Sequence, residues 1–232
     1  MVYVISDLHG YPLEKIEALF EKAGFGNDDF CFVLGDVIDR GDDGIKILKW
    51  LMYKDNMELI LGNHEALMLS CRFLFEEITD ELLESLDASQ LDILEVWKDN
   101  GGDATIRALA ALYPDERAEI VDYLSDAPLY DSVTVKGKDY LLTHSGIDNF
   151  EPGKKLSEYS AADFLWNRPS FDDRYFDDVV TVFGHTPTGL YGREYAGRPI
   201  ITDTWIDIDV GASSGRAPLL LRLDDMKEFY AD

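Results

Sequence analysis

Gly35-Asp36-Val37-Ile38-Asp39-Arg40-Gly41 is the stretch that decides how this chain is read. It holds two carboxylates and a guanidinium within seven residues, with a glycine at each end. The run that leads into it, Phe30-Cys31-Phe32-Val33-Leu34, has the apolar and aromatic character of a buried strand. The two glycines let the backbone turn sharply and approach a ligand closely. A polar loop of this composition, placed where a buried strand ends, is a candidate metal or phosphate site.

Working outward, residues 2–5 predict a short buried strand, followed by the loop Ser6-Asp7-Leu8-His9-Gly10. Pro12 opens a helix to about residue 23, with Leu13, Ile16, Leu19 and Phe20 on one face, and Gly24 and Gly26 end it. Residues 44–54 carry Ile45, Leu48 and Met52 at helical spacing. Residues 57–61 predict a third strand, with Gly62-Asn63-His64-Glu65 expected as the loop beyond it. A strand-helix-strand-helix-strand order implies parallel strands with right-handed crossovers. Ligands in such sheets gather beyond the carboxyl ends of the strands. Here all three ends carry metal-capable residues: Asp7 and His9, then Asp36, then Asn63 and His64.

Residues 66–123 read as helices. One is an acidic amphipathic helix over 80–94 capped by Thr79, Asn100-Gly101-Gly102 breaks the series, and two more follow at 106–112 and 117–124. A hairpin is expected from strands at 129–135 and 139–143 around Lys136-Gly137-Lys138. Strands at 179–183, 199–201, 205–210 and 219–223 complete a β-rich second half, and 150–178 reads as loop with short helices. No linker-like run divides the chain. One domain over 1–232 is therefore expected, an α/β fold in which a two-sheet β-sandwich is flanked by helices, with the helical segment near 66–125 as a cap or flank.

Composition narrows the function. The chain has 232 residues, 46% of them hydrophobic, enough for a sizeable core. Its 46 acidic residues against 21 basic ones give a formal charge of −25, which repels nucleic-acid polymers and anionic membranes. No apolar run is long enough for a bilayer, and the N-terminus lacks the basic flank of a signal peptide. Cys31 and Cys71 offer no disulfide framework. A cytoplasmic location follows as the expectation.

The four histidines, His9, His64, His144 and His185, each come soon after an expected strand in a glycine-bearing stretch. Imidazole, carboxylate and amide oxygen together form a ligand set without thiolate, suited to Mn²⁺, Fe²⁺ or Zn²⁺. Two such ions can clamp the attacking and leaving oxygens of a phosphoryl group.

These motifs carry a resemblance. Ser6-Asp7-Leu8-His9-Gly10, the stretch 35–41, Gly62-Asn63-His64-Glu65, His144-Ser145-Gly146 and Gly184-His185-Thr186 follow one another as in the calcineurin-like metallophosphoesterase superfamily. The chain most resembles the phosphoprotein phosphatase branch in its bacterial and bacteriophage form. The resemblance implies one metal on Asp7, His9 and Asp36 and a second on Asp36, Asn63, His144 and His185, with Mn²⁺ expected and Fe or Zn as alternatives. It implies His64 as general acid, oriented by Asp39, and Arg40 as a phosphate clamp. Trp166-Asn167-Arg168 resembles the family's later arginine loop, which makes Arg168 the second clamp. Ile208-Asp209-Val210-Gly211-Ala212 resembles a segment that usually reads Asp-Thr-Gly in bacterial relatives, and it receives no role.

The implied activity is a phosphomonoesterase of the serine/threonine phosphatase kind, in which a metal-bridging hydroxide attacks a phosphoprotein or a small phosphate ester. The first alternative is a symmetrical dinucleoside polyphosphate hydrolase. That group usually reads Gly-Asn-His-Asp and lacks the second aspartate of the opening motif, so Glu65 and Asp39 favour the monoesterase. A non-catalytic metal- or phosphate-binding module is the remaining alternative, and no functional atom is missing that would argue for it.

Overall fold

The computed structural model of the protein describes residues 1–76, 79 and 87–232. Two five-stranded sheets form its centre. The first has the order β10-β9-β1-β2-β3, built from β1 (Val2–Ile5), β2 (Phe30–Val33), β3 (Met57–Leu59), β9 (Leu219–Arg222) and β10 (Lys227–Tyr230). The second has the order β4-β5-β6-β8-β7, built from β4 (Tyr130–Val135), β5 (Lys138–Thr143), β6 (Val179–Phe183), β7 (Ile200–Ile201) and β8 (Trp205–Asp207). Strands β1, β2 and β3 run parallel, and so do β5, β6 and β8. The expected two-sheet α/β sandwich is the observed one.

Strand alternation sends successive side chains to opposite faces. Tyr3 and Ile5 of β1 join a core beneath α1 (Leu13–Ala23) and α2 (Gly44–Met52), while Val4 points to the core between the sheets. Phe32 and Leu34 meet Leu142, Val182 and Ile206 in that inter-sheet core. On the outer face of the second sheet, Phe183 and Trp205 pack with Phe164 of the short helix α7 (Ala161–Leu165). With both faces covered, the parallel strands read as continuous apolar runs.

Several details differ from the sequence reading. Asn63, His64 and Glu65 are the first turn of α3 (Asn63–Ser70) and not a loop. Gly62 is extended at the N-cap, and the Glu65 carboxylate reaches back to its N–H. Part of the helix expected over 80–94, including its start beside Thr79, lies outside the described residues; the described α4 is Ala88–Asp99, capped by Asp87. Helices α5 (Asp103–Ala110) and α6 (Pro114–Asp126) start earlier than their apolar faces suggest, α6 because Pro114 presets the first turn. Strand β10 was not expected: its exposed Lys227 and Glu228 hide the alternation, and its register comes from antiparallel pairing with β9.

The loops beyond the strands are joined backbone to backbone. His9 and Gly10 donate to Asp36 and Val37 at 2.9 and 2.8 Å, Gly41 donates back to His9 at 3.0 Å, and Gly184 donates to His144 at 2.9 Å. Gly35 sits where three of these loops meet. Its φ is +79°, and a Cβ there would fall 2.5 Å from the Gly62 Cα and 2.7 Å from His144 Nδ1. Gly35→Ala is expected to lower the melting temperature by roughly 5 °C or more, through the positive φ and this backbone clash; thermal denaturation checks it, and an unchanged transition would contradict the packing.

Candidate active site

The carboxyl ends of six parallel strands converge on one edge of the sandwich. Asp7 and His9 follow β1, Asp36 follows β2, Asn63 follows β3, His144 follows β5, His185 follows β6 and Asp209 follows β8. Asp7, His9, Asp36, Asp39, Arg40 and His185 all have positive φ, six of the nine non-glycine residues with positive φ among the described residues. Backbone strain concentrated in this way marks a functional edge that the surrounding structure holds in place.

Asp36 is the centre. Ligand-capable atoms of His9, Asp36 and His64 lie within 4.8 Å of one another, and so do those of Asp36, His144 and His185. One carboxylate therefore belongs to both clusters: Asp36 Oδ2 is 3.6 Å from His9 Nε2, and Oδ1 is 3.4 Å from His144 Nε2. Asp7 stands at the edge of the first cluster. Its Oδ1 is 3.9 Å from His9 Nε2, and its Oδ2 accepts the His185 N–H at 2.9 Å. Burial drives the Asp7 carboxyl well above the usual range, with the charges of Asp209 and Asp36 adding to it. Burial alone would raise Asp36 too, but His144, His64, His9 and His185 around it hold it below its ordinary value. Burial lowers His9 and His185 to about 3, leaving both rings neutral.

These residues fit divalent metals. The Nδ1 atoms of His9 and His144 face the carbonyls of Ile38 and Leu34 at 3.2 and 2.7 Å, so their Nε2 lone pairs point inward. The His144 lone pair meets the Asn63 Oδ1 at 2.8 Å, and His185 Nδ1 meets the same oxygen at 3.0 Å. Acceptors converging on one point, beside the buried carboxylates of Asp7, Asp36 and Asp209, call for a cation.

His64 has a second partner set. Its Nδ1 lies 2.6 Å from Asp39 Oδ2, and Asp36 lies 3.7 Å from its Nε2. Burial opposes the imidazolium, but Asp36 and Asp39 outweigh it and raise the His64 pKa. Asp39 is itself locked. The buried Trp97 indole donates to Oδ2 at 2.8 Å, and the Thr105 hydroxyl donates to Oδ1 at 2.5 Å. Arg40 reaches over both imidazoles, with Nη1 2.8 Å from His9 Nε2 and Nη2 3.2 Å from His64 Nε2. Asn100-Gly101-Gly102, which read as a helix break, holds it there: the Arg40 N–H donates to Gly101 O at 3.0 Å, and a Cβ on Gly101 would fall 2.7 Å from Arg40 Cγ. Arg168 lines the same cavity of about 200 Å³ as Arg40, with Trp166, Asn100 and Asp209.

The structure thus brings together Asp7, His9, Asp36, Asp39, Arg40, Asn63, His64, His144, Arg168 and His185. The sequence reading missed the braces. Glu65, fully buried, accepts from the N–H groups of Asp36, Val37 and Ile38 at 2.9, 2.9 and 3.2 Å, and burial with the Asp36 charge lifts it to about 7. It also missed Trp97, Thr105 and Asp209. The signal for the last was present: two aspartates, 207 and 209, interrupt an apolar strand end, where carboxylates are out of place without a partner.

The profile of calcineurin-like phosphoesterases matches residues 1–211. The chain belongs to this family. The symmetrical bis(5'-nucleosyl)-tetraphosphatase of Buchnera aphidicola subsp. Acyrthosiphon pisum (strain 5A) is 34% identical over 96 residues, covering 38% of this chain and 35% of that protein. The mouse serine/threonine-protein phosphatase with EF-hands 1 is 31% identical over 104 residues, covering 42% of this chain and 15% of its own length. The chain thus spans about a third or less of the length of these two relatives. A crystal structure provisionally assigned as a diadenosine tetraphosphatase superposes with a TM-score of 0.64 at 15% identity, covering 99% of this chain and 92% of that one. It shares the fold. No helix among the described residues of this metallophosphoesterase is long and apolar enough to cross a membrane.

Trp97→Phe removes one hydrogen bond to Asp39, and Thr105→Val removes two, the hydroxyl's donation to Oδ1 and its acceptance of the Asp39 N–H; neither touches a metal-facing atom. Each is expected to lower kcat by about 10-fold while metal content, read by elemental analysis, stays at the wild-type value. Loss of metal in either variant would contradict the separation of the Asp39 braces from the ligand clusters.

Proposed function

We propose that this metallophosphoesterase hydrolyses dinucleoside polyphosphates, with phosphate-monoester hydrolysis as the second reading. Hydrolysis at phosphorus is supported by one observation above the rest: Asp36 belongs to both ligand clusters, with the Arg40 and Arg168 guanidiniums at the same cavity. The substrate class is supported by the tetraphosphatase relatives, one of which matches at 34% identity over 96 residues. This reverses the order expected from sequence. Glu65 no longer counts for the monoesterase, because its carboxylate is engaged by backbone N–H groups of residues 36–38. The Asp39–His64 pair is what keeps the second reading in play.

Asp7, His9 and Asp36 would hold one ion, and Asp36, Asn63, His144 and His185 the other, with Mn²⁺ as the proposed metal. Bound there, two divalent ions supply an activated water and neutralise phosphoryl charge. The chain's own residues do the rest. Arg40 and Arg168 hold the non-bridging oxygens and favour the charge-rich transition state. His64 Nε2 delivers a proton to the departing oxygen, and Asp39 fixes the ring by holding Nδ1. No serine or cysteine nucleophile is required, so an ¹⁸O label from water should appear in the product. A trapped phosphoenzyme would contradict this.

The two readings differ in what His64 must do. A nucleoside polyphosphate leaves as a stable anion and needs little protonation, whereas a serine alkoxide needs a full proton. With a phosphoserine peptide, His64→Asn is expected to lower kcat by about 10²–10⁴, and with diadenosine tetraphosphate by clearly less, metal content unchanged in both. Loss of metal would make His64 a ligand instead. Asp36→Asn is expected to empty both sites, since it removes the shared carboxylate charge. The ratio of kcat/KM for diadenosine tetraphosphate over the phosphoserine peptide decides the substrate: a wild-type ratio below one would sink the leading reading.

A further inference from the structure

A second cavity of about 520 Å³ adjoins the catalytic one. The two share Pro187 and Leu190, in the turn that follows His185. Its opposite wall is the loop that leaves Asp209, with Gly211 and Ser214, and its polar reach comes from Arg193 and Arg216. No carboxylate lines it, and among the described residues neither arginine forms an ion pair. That runs against the composition of a chain with 46 acidic and 21 basic residues, where an exposed guanidinium has a surplus of acidic neighbours to choose from.

The Arg216 side chain is also given room. Gly211 and Gly197 have φ of +93° and +85°, and a Cβ on either would meet Arg216, at 3.3 Å from its Cδ and 3.0 Å from its Nη1 respectively. The Arg216 N–H closes the loop onto Gly211 O at 3.3 Å. One loop therefore runs from a carboxylate in the catalytic cavity to a guanidinium in the next, and that loop is the segment 208–212 and its continuation, which the sequence reading left without a role.

We infer that Arg193 and Arg216 form an anion subsite that receives the part of a polyphosphate chain lying beyond the phosphate at the metal centre. The inference rests on the proposed hydrolysis of polyphosphate substrates for its biological meaning, though not for its test. Guanidinium pairs the terminal and bridging-chain oxygens of phosphates in a planar, two-pronged manner. A monoester has no further phosphate to place there. The subsite would thus separate substrates with a phosphate chain from those with one phosphate.

Calorimetric titration of the Mn²⁺-loaded protein with inorganic tripolyphosphate and with orthophosphate, at matched free Mn²⁺, tests this directly. Wild type is expected to bind tripolyphosphate tighter than orthophosphate by on the order of tenfold or more, the scale of added charge-assisted hydrogen bonds. The double variant Arg193→Ala/Arg216→Ala is expected to erase most of that preference and leave orthophosphate binding unchanged. Arg216→Lys, which keeps the charge and packing, is expected to retain part of it, and guards against misfolding of the double variant. A wild type without the preference, or a double variant that keeps it, overturns the subsite. Turnover of diadenosine tetraphosphate is read separately. If wild type fails to hydrolyse it yet shows the arginine-dependent preference, the dinucleoside reading falls and the subsite stands.

Discussion

The grip of Glu65 on three successive backbone N–H groups is the constraint on which the rest depends. Residues 36–38 leave β2 in a conformation that satisfies no strand or helix ladder, with Asp36 at positive φ. Buried N–H groups without acceptors would each cost on the order of 1–3 kcal/mol. One carboxylate, rising from the first turn of α3, answers all three and the Gly62 N–H as well. The position of Asp36 is thereby tied to the position of α3, and so to His64 and Asn63, which stand on the same turn. The carboxylate that links the two ligand clusters and the imidazole that faces it are set by one side chain whose own carboxylate is spent on backbone N–H groups.

A second layer of support orders the imidazoles. His9 and His144, whose Nδ1 atoms are held by carbonyls, have their Nε2 lone pairs fixed toward the cavity, and His64, held at Nδ1 by a carboxylate, has its Nε2 aimed there as well. Trp97 and Thr105 extend this control outward from His64 through Asp39. The helical segment beyond α3 therefore braces the candidate site, since α4 brings Trp97 and α5 brings Thr105 to Asp39, and the Asn100-Gly101-Gly102 turn between them holds Arg40. An ordering shell of this kind keeps the reacting groups in place without reorganisation during the reaction.

The sequence was most legible where chemistry and strand ends coincide. Asp7, His9, Asp36, Asn63, His144 and His185 are polar interruptions right after apolar runs, and the structure gathers all of them at one edge. The two-sheet sandwich was legible for the same reason, because runs such as 30–34 and 179–183 are buried on both faces. What escaped the reading depends on partners far along the chain. Trp97 looks like one more core aromatic until Asp39, 58 positions earlier, is seen to accept from it. Strand β10 carries too little apolar alternation to stand out, and pairing with β9 defines it. Asp207 and Asp209 were visible as misplaced carboxylates, but only the crossing of β8 beside β6 puts Asp209 next to Asp7. The substrate order changed for a similar reason: Glu65 read as a branch marker, and its contacts make it a brace.

The pairing of β1 with β9 has a consequence for how the molecule comes into being. The strand that begins the chain gains one neighbour in β2, but its other edge waits for residues 219–222, where Tyr3 meets Arg222 and Val4 meets Leu221. Contacts of such long sequence separation are slow to close. Asp7 and His9 sit directly beyond β1, so their half of the catalytic edge stays loosely anchored until nearly the whole described chain is available. During synthesis the metal-binding edge would mature late, after the helices above it, and a nascent chain lacking β9 would present its histidines and carboxylates without the geometry to use them.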